Sequence, residues 1–168
     1  MIVVGMGANL ANRDGRTPLE TCRWAVSRLD QLPGLRVRGL SRWFESAPIP
    51  PSAQPAFVNA IVHLRAESGQ APDPRVVLAW LMQIEQDAGR ERSVANAART
   101  LDLDLIDYDG LILDTPDLVL PHPRAHERAF VLCPLNDVAP DWIHPVLAAR
   151  PATLIDALPP QALRILPA

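Results

Sequence analysis

"RTLDLDLIDYDG", residues 99–110, alternates acidic and apolar side chains at the two-residue period of a β-strand. Read that way, Leu101, Leu103 and Leu105 face a core, while Asp102 and Asp104 share the opposite face. Same-face neighbours sit about 7 Å apart at Cβ, so two unpaired carboxylates would repel and raise each other's pKa. A divalent cation relieves that repulsion, and an all-oxygen donor set suits Mg²⁺. Two carboxylates can also hold a pair of ions about 3.5–4 Å apart, the arrangement used for in-line attack at phosphorus. The competing reading is a solvated sheet face whose aspartates pair with arginines.

Working outward, the pattern of elements is mixed. "MIVVGMG" (1–7) reads as a first strand, and "TPLE" (17–20) is a capping box with proline at the first helical position. The helix it opens carries Cys22, Ala25, Val26 and Leu29 on one face and stops at Pro33-Gly34. "LRVRGLSRWFES" (35–46) and "AFVNAIVHLRA" (56–66) read as strands, joined by the proline-rich loop "APIPPSAQP" (47–55). A second helix spans 73–89, from Asp73 as cap to Gly89 as stop, with Val77, Leu78, Leu81, Ile84 and Ala88 as its buried stripe. After the acidic strand come a hairpin through "LILDTPDLVL" (111–120), a loop turning into a short helix over 121–135, and a last helix at 151–158. The expectation is an α+β fold: a mainly antiparallel sheet with helices packed on it, residues 1–168 forming one domain.

Composition narrows the chemistry. The net charge is −3, which argues against a general nucleic-acid binder. All 16 basic residues are arginine, so there is neither a phosphate-loop lysine nor a Schiff-base amine. Phosphate, if handled, must meet arginine forks and metal ions. Cys22 and Cys133 each sit in apolar runs and read as free buried thiols of a reducing compartment. The start lacks the basic segment and cleavage site of a signal peptide, and no apolar run reaches spanning length. The expectation is therefore a cytoplasmic protein with no membrane partner.

Arginines cluster around the acidic strand: Arg90, Arg92 and Arg99 upstream, then His122, Arg124 and Arg128 downstream. Carboxylates for metal beside arginines for phosphate compose a nucleotide site. In the strand 57–65, Val58, Ala60, Val62 and Leu64 form a core face. The other face begins with Phe57 and Asn59, a stacking surface beside an amide that donates and accepts, suited to a flat heteroaromatic ring. A half-exposed edge-strand face would explain the same residues. His122 and His126 are four apart, but Pro123 breaks helical phasing between them, so they do not read as a zinc pair. The four tryptophans are scattered and read as packing.

Four stretches together resemble the 6-hydroxymethyl-7,8-dihydropterin pyrophosphokinase family (2-amino-4-hydroxy-6-hydroxymethyldihydropteridine diphosphokinases). "GANL" (7–10) stands for G-S-N-L, "QPAFVNA" (54–60) for Q-P-x-[FY]-x-N-A and "RTLDLDL" (99–105) for R-T-[IL]-D-[IL]-D. "LPHPRAHERAFVLCPL" (120–135) matches P-H-P-x-x-x-x-R-x-F-V-L-x-P-L. They occur in the family's order, and the likeness covers roughly residues 1 to 147. The resemblance implies a ferredoxin-like fold and transfer of the terminal pyrophosphate of ATP to the pterin's hydroxymethyl group, releasing AMP, in tetrahydrofolate biosynthesis. It also implies that Asp102 and Asp104 ligate two Mg²⁺ ions and that Phe57 and Phe130 sandwich the pterin. Asn59, with the backbone around Ser46, Ala47 and Ile49, would then bond the ring's edge. Glu85, Arg90, Arg92, Arg99, His122 and Arg128 fall at nucleotide-contacting positions, with Arg90 and Arg99 among the catalytic set beside the two aspartates. The implied partners are small molecules acting on a monomer.

Three stretches depart from the family pattern. "NAART" replaces W-G-P-R-T, so Asn96 and Ala97 stand where tryptophan and glycine are expected; Met82 replaces a glutamine, and Ala8 a serine. Residues 85–100, with Gly89 as a hinge and few apolar anchors, are expected to form a lid. Two rivals remain from the residues alone. One is a Mg²⁺-dependent nucleotide-using transferase with another acceptor; the other is a ferredoxin-like module that binds a ligand without chemistry.

Overall fold

The computed structural model describes residues 1–90 and 98–167. Arg92, Asn96, Ala97 and the middle of the expected lid lie outside the described residues. The chain runs β1 (Ile2–Ala8), α1 (Pro18–Leu29), β2 (Leu35–Leu40), β3 (Phe44–Ser46), β4 (Phe57–Ala66), α2 (Pro74–Asp87) and β5 (Asp102–Tyr108). A hairpin of β6 (Leu113–Asp114) and β7 (Val119–Leu120) follows, then α3 (Ala129–Val138), α4 (Pro151–Asp156) and β8 (Leu163–Ile165). The main sheet is ordered β5-β1-β4-β3-β8, with β2 pairing farther along β4, and every pairing in it is antiparallel. With β2 and β3 taken as halves of one broken strand, residues 2–108 trace β-α-β-β-α-β, the ferredoxin-like arrangement.

The sequence pattern sets the layers. Leu101, Leu103 and Leu105 join Val58, Ala60, Val62 and Leu64 in a core closed by Cys22, Ala25 and Leu29 of α1 and Val77, Leu81 and Ile84 of α2. Thr17 and Glu20 cap α1 reciprocally, as the box predicts, and the Asp73 side chain caps α2. A second core lies under α3 and α4, where Val3, Ile61 and Ile106 meet Val131, Leu135 and Trp142. β1 is buried along its whole length because both its faces are covered.

The structure differs from the sequence reading in specific ways. Residues 35–46 are two strands, not one. Their junction is held by Ser41, whose N–H donates to Ile61 O at 3.0 Å and whose Oγ accepts the Ile61 N–H at 2.9 Å. A hydroxyl thus stands in for a ladder carbonyl while the chain bends. β4 is interior rather than an edge: Ile61 is fully buried beneath α3. Val26 and Leu78 are only partly buried, and Glu85 takes a buried place on the inner side of α2. Strand β8 has no counterpart in the sequence reading. Both cysteines are free, but only Cys22 is buried, and that burial pushes its thiol up to about 12. Among the described residues no helix is long and apolar enough to cross a membrane.

Just past the Ser41 junction, Arg42 forks onto Asp137 of α3. Its Nη2 donates to Oδ1 at 2.8 Å, and its Nε and backbone N–H donate to Oδ2 at 3.0 and 3.1 Å. The bond from the Arg42 side chain, foremost, holds the Asp137 carboxyl below its ordinary value. A depressed carboxyl stabilises the fold above its unfolded pKa and loses that contribution as pH falls through the folded value. Asp137→Asn is therefore expected to cost about 1 kcal/mol at neutral pH, discounted for the exposed guanidinium. Urea titrations should show the gap between variant and wild type closing below pH 3.8, the carboxyl's ordinary value.

Candidate active site

A cleft of about 960 Å³ opens on the α3 side of the sheet, within the roughly 300–1,000 Å³ typical of ligand sites. Its floor is β1 from Gly5 to Gly7, flanked by Phe57 and Asn59 of β4 and by Asp102, Asp104 and Ile106 of β5. The two glycines are needed for close approach. A Cβ on Gly5 would lie 3.3 Å from Ile106 Cδ1, and one on Gly7 3.2 Å from Asn59 Oδ1.

At one end the walls are flat and mostly apolar. Phe57 enters from the start of β4 and Phe130 from the first turn of α3, with Ser46, Ala47 and Ile49 beside them. Asn59 is buried, and its Nδ2 donates to Ser46 Oγ at 2.8 Å and to Phe57 O at 3.2 Å. Both amide hydrogens are thereby used, so Oδ1 beside Gly7 is the group left to accept. The Arg128 guanidinium lies 5.5 Å from the centroid of the Phe130 ring.

The acidic end is a charge network. Asp102 accepts from Arg90 Nη1 at 2.7 Å through Oδ1 and pairs with Arg99 through Oδ2. Arg90 Nη1 also lies 2.6 Å from Glu85 Oε1, which accepts the Leu103 N–H at 2.8 Å. Helix α2 is thus tied to the acidic strand through one buried carboxylate. Asp104 is different: among the described residues it has no hydrogen-bond partner, and His122 Nε2 stands 4.0 Å away. Its side chain is 41% exposed through the cleft mouth, yet protein crowds its other sides. Burial first, then the charge of Asp102, raise its carboxyl to about 7, against the pull of Arg128 and Arg99. His122 Nδ1 accepts the Arg124 N–H at 3.2 Å, which leaves its proton on Nε2, toward Asp104. Burial and the Arg128 charge lower His122 to about 4, so it is neutral at pH 7.

The fold brings Ser46, Ala47, Ile49, Phe57, Asn59, Arg99, Asp102, Asp104, Arg128 and Phe130 to one cleft. Glu85, Arg90 and His122 stand behind the two aspartates rather than on the cleft surface. The sequence reading did not find Gln161, which lines the far wall. Its Oε1 accepts the Ala129 N–H at 2.9 Å and its Nε2 donates to Glu127 O at 2.9 Å, fixing the first turn of α3. Nothing in "LPPQAL" marks that role, because its partners lie more than thirty positions back.

An all-oxygen pair with one unbonded carboxylate fits a hard divalent cation. No group of three or more metal-binding side chains is present among the described residues, so an ion held by this pair would take its other ligands from water or substrate oxygens.

The sequence model of the 7,8-dihydro-6-hydroxymethylpterin-pyrophosphokinase family matches residues 3–140. The chain is 36% identical over 165 residues to a 2-amino-4-hydroxy-6-hydroxymethyldihydropteridine pyrophosphokinase of Pseudomonas aeruginosa, covering 94% of this chain and 96% of that one. It is 38% identical over 143 residues to a protein of the same name from Synechocystis, covering 85% and 68%. In fold it resembles the crystal structure of a Plasmodium falciparum HPPK-DHPS triple mutant with pteroate, with a TM-score of 0.66 at 13% identity. That likeness covers 92% of this chain and 42% of the longer one.

The Glu85 bridge makes a separable prediction. Glu85→Leu leaves both the Leu103 N–H and Arg90 without their buried partner and should cost about 3 kcal/mol. Glu85→Gln keeps an oxygen for Leu103 and should cost less than half as much. Urea unfolding of the two variants measures the difference.

Proposed function

The chain belongs to the 7,8-dihydro-6-hydroxymethylpterin-pyrophosphokinase family, and from that membership we propose which residues carry the reaction. Enzymes of this family move a pyrophosphoryl group from ATP to hydroxymethyldihydropterin in folate biosynthesis, and this chain is one of them. The pterin ring enters between Phe57 and Phe130, its amide-like edge meeting Asn59 Oδ1, Ser46 and the backbone near Ala47 and Ile49. The ATP polyphosphate lies along Arg99 and Arg128, with Arg92 as a further nucleotide contact and Arg90 and His122 acting from behind Asp102 and Asp104. Glu85 belongs to that end through Arg90, which it holds in place. Two Mg²⁺ ions held by Asp102 and Asp104 would neutralise and orient the polyphosphate.

The chain's own residues do the rest. The ring slot aims the hydroxymethyl oxygen at the β-phosphorus, turning a bimolecular encounter into an aligned one. The oxygen–phosphorus bond to the pterin forms as the bond to the AMP oxygen breaks, and the hydroxyl proton leaves to Asp104 or to water. Arg99 and Arg90, which neutralise Asp102 before substrate arrives, would stabilise the charge that develops on that leaving oxygen. His122 keeps its Nε2–H directed toward the same region as a neutral donor. The observation that carries this reading is Asp104: a carboxylate without a hydrogen bond, on the floor between an aromatic slot and paired arginines. The reading includes one working domain, a monomer acting on small molecules in the cytoplasm.

Incubation with ATP, Mg²⁺ and 6-hydroxymethyl-7,8-dihydropterin should release AMP, and omission of any one should stop it. Asp102→Ala should lower turnover at least about a hundredfold, the loss expected when a metal carboxylate worth several kcal/mol goes. Near-normal AMP release by that variant would refute the metal assignment. Gly7→Ala should raise the pterin KM severalfold while leaving the ATP KM in place, since its methyl presses on Asn59 Oδ1 alone among polar side-chain atoms.

A further inference from the structure

Asn9 follows β1 and is 2% exposed. Its side chain bonds to two segments that are remote from each other in sequence. Oδ1 accepts the Arg99 N–H at 2.8 Å, while Nδ2 donates to Pro55 O at 3.1 Å and to Gln54 Oε1 at 3.1 Å. The backbone N–H groups of Asn9 and Leu10 both donate to Arg99 O, at 3.0 and 3.1 Å. The orientation of the amide is dictated by its partners: a main-chain N–H only donates and a proline carbonyl only accepts. Turned over, the amide would set donor against donor and acceptor against acceptor.

The two segments serve opposite ends of the cleft. Gln54 and Pro55 close the loop that lines the ring slot and lead directly into Phe57. Arg99 lies on the phosphate side, its guanidinium paired with Asp102. A buried amide with three satisfied bonds to two walls resists their separation, because parting them strands polar groups away from water.

We propose that Asn9 is a positioning residue, a strut that holds the ring-side loop and Arg99 at a fixed spacing so that the pterin and the polyphosphate are presented together. The proposal rests on the functional reading above. Asn9 itself does not line the cleft, so its effect on turnover passes through the residues it holds.

Two substitutions separate the arms of the strut. Asn9→Asp keeps an oxygen for the Arg99 N–H but removes both donors to the ring-side loop. Asn9→Ala removes everything. Gln54→Ala removes the acceptor for Asn9 Nδ2 from a side chain that also lines the cleft, and serves if neither Asn9 variant folds. The readouts are kcat and both KM values from AMP release, the thermal midpoint, and calorimetric titrations. The titrations use a non-hydrolysable ATP analogue with Mg²⁺ in one series and the pterin in another.

Asn9→Asp is expected to raise the pterin KM and weaken pterin binding about fivefold or more, with the ATP KM changed less than about twofold. Asn9→Ala should also lower kcat about tenfold, since Arg99 is then released as well. Gln54→Ala should shift the pterin KM in the same direction by a smaller factor. The strut is overturned if the Asn9 variants lower the midpoint but leave kcat and both KM values unchanged, as a purely structural role would. It is equally overturned if Asn9→Asp weakens both ligands alike, or if Gln54→Ala alone is measurable and leaves the pterin KM where it was. Should the wild type release no AMP, the functional reading fails instead, and the strut is judged on the two calorimetric affinities.

Discussion

The β1–β5 ladder is the constraint on which the cleft depends. Gly5 faces Asp104 and Gly7 faces Asp102 across it, so each acidic residue is opposed by a residue without a side chain. That pairing keeps the floor open above the carboxylates while the leucines between them seal the core below. A larger residue at either glycine would fill the space a ligand needs. The main-chain register therefore settles where charge is displayed before any side chain makes a contact.

Holding two aspartates at such a floor costs free energy, and the protein offsets it unequally. Asp102 is compensated by two guanidinium groups, of which Arg90 is steadied by Glu85 from behind. Asp104 is left without a hydrogen bond, and burial, then the Asp102 charge, raise its carboxyl. One carboxylate is thus satisfied in the ligand-free protein and the other is held in reserve. Because every basic side chain is arginine, the cations around the pair stay charged at any physiological pH.

Much of this was legible in the sequence where local pattern and chemistry coincide. The alternation in 99–110 gives both the core face and the acidic face of β5, and the capping box fixes the start of α1. The break at Ser41–Trp43 was not legible, because alternation continues through it and only the Ser41 bonds to Ile61 reveal the bend. Strand β8 is three residues long and pairs with β3 across more than a hundred positions, beyond any local pattern. Glu85 could be placed at the nucleotide end by resemblance, but its burial against Leu103 depends on how α2 seats on the sheet. Asn9 and Gln161 share that limit: each is an ordinary amide until the fold supplies distant partners.

Gln161 carries one more implication. The first turn of α3, from which Phe130 faces the cleft, is held by an amide that enters near the far end of the sequence. During synthesis on the ribosome strands β1 to β7 and α3 emerge first, and the aromatic slot gains its finished wall only after that late segment has docked. Ligand recognition is thereby tied to the arrival of residue 161, so a chain interrupted before it would carry the acidic floor without a properly shaped place for the ring.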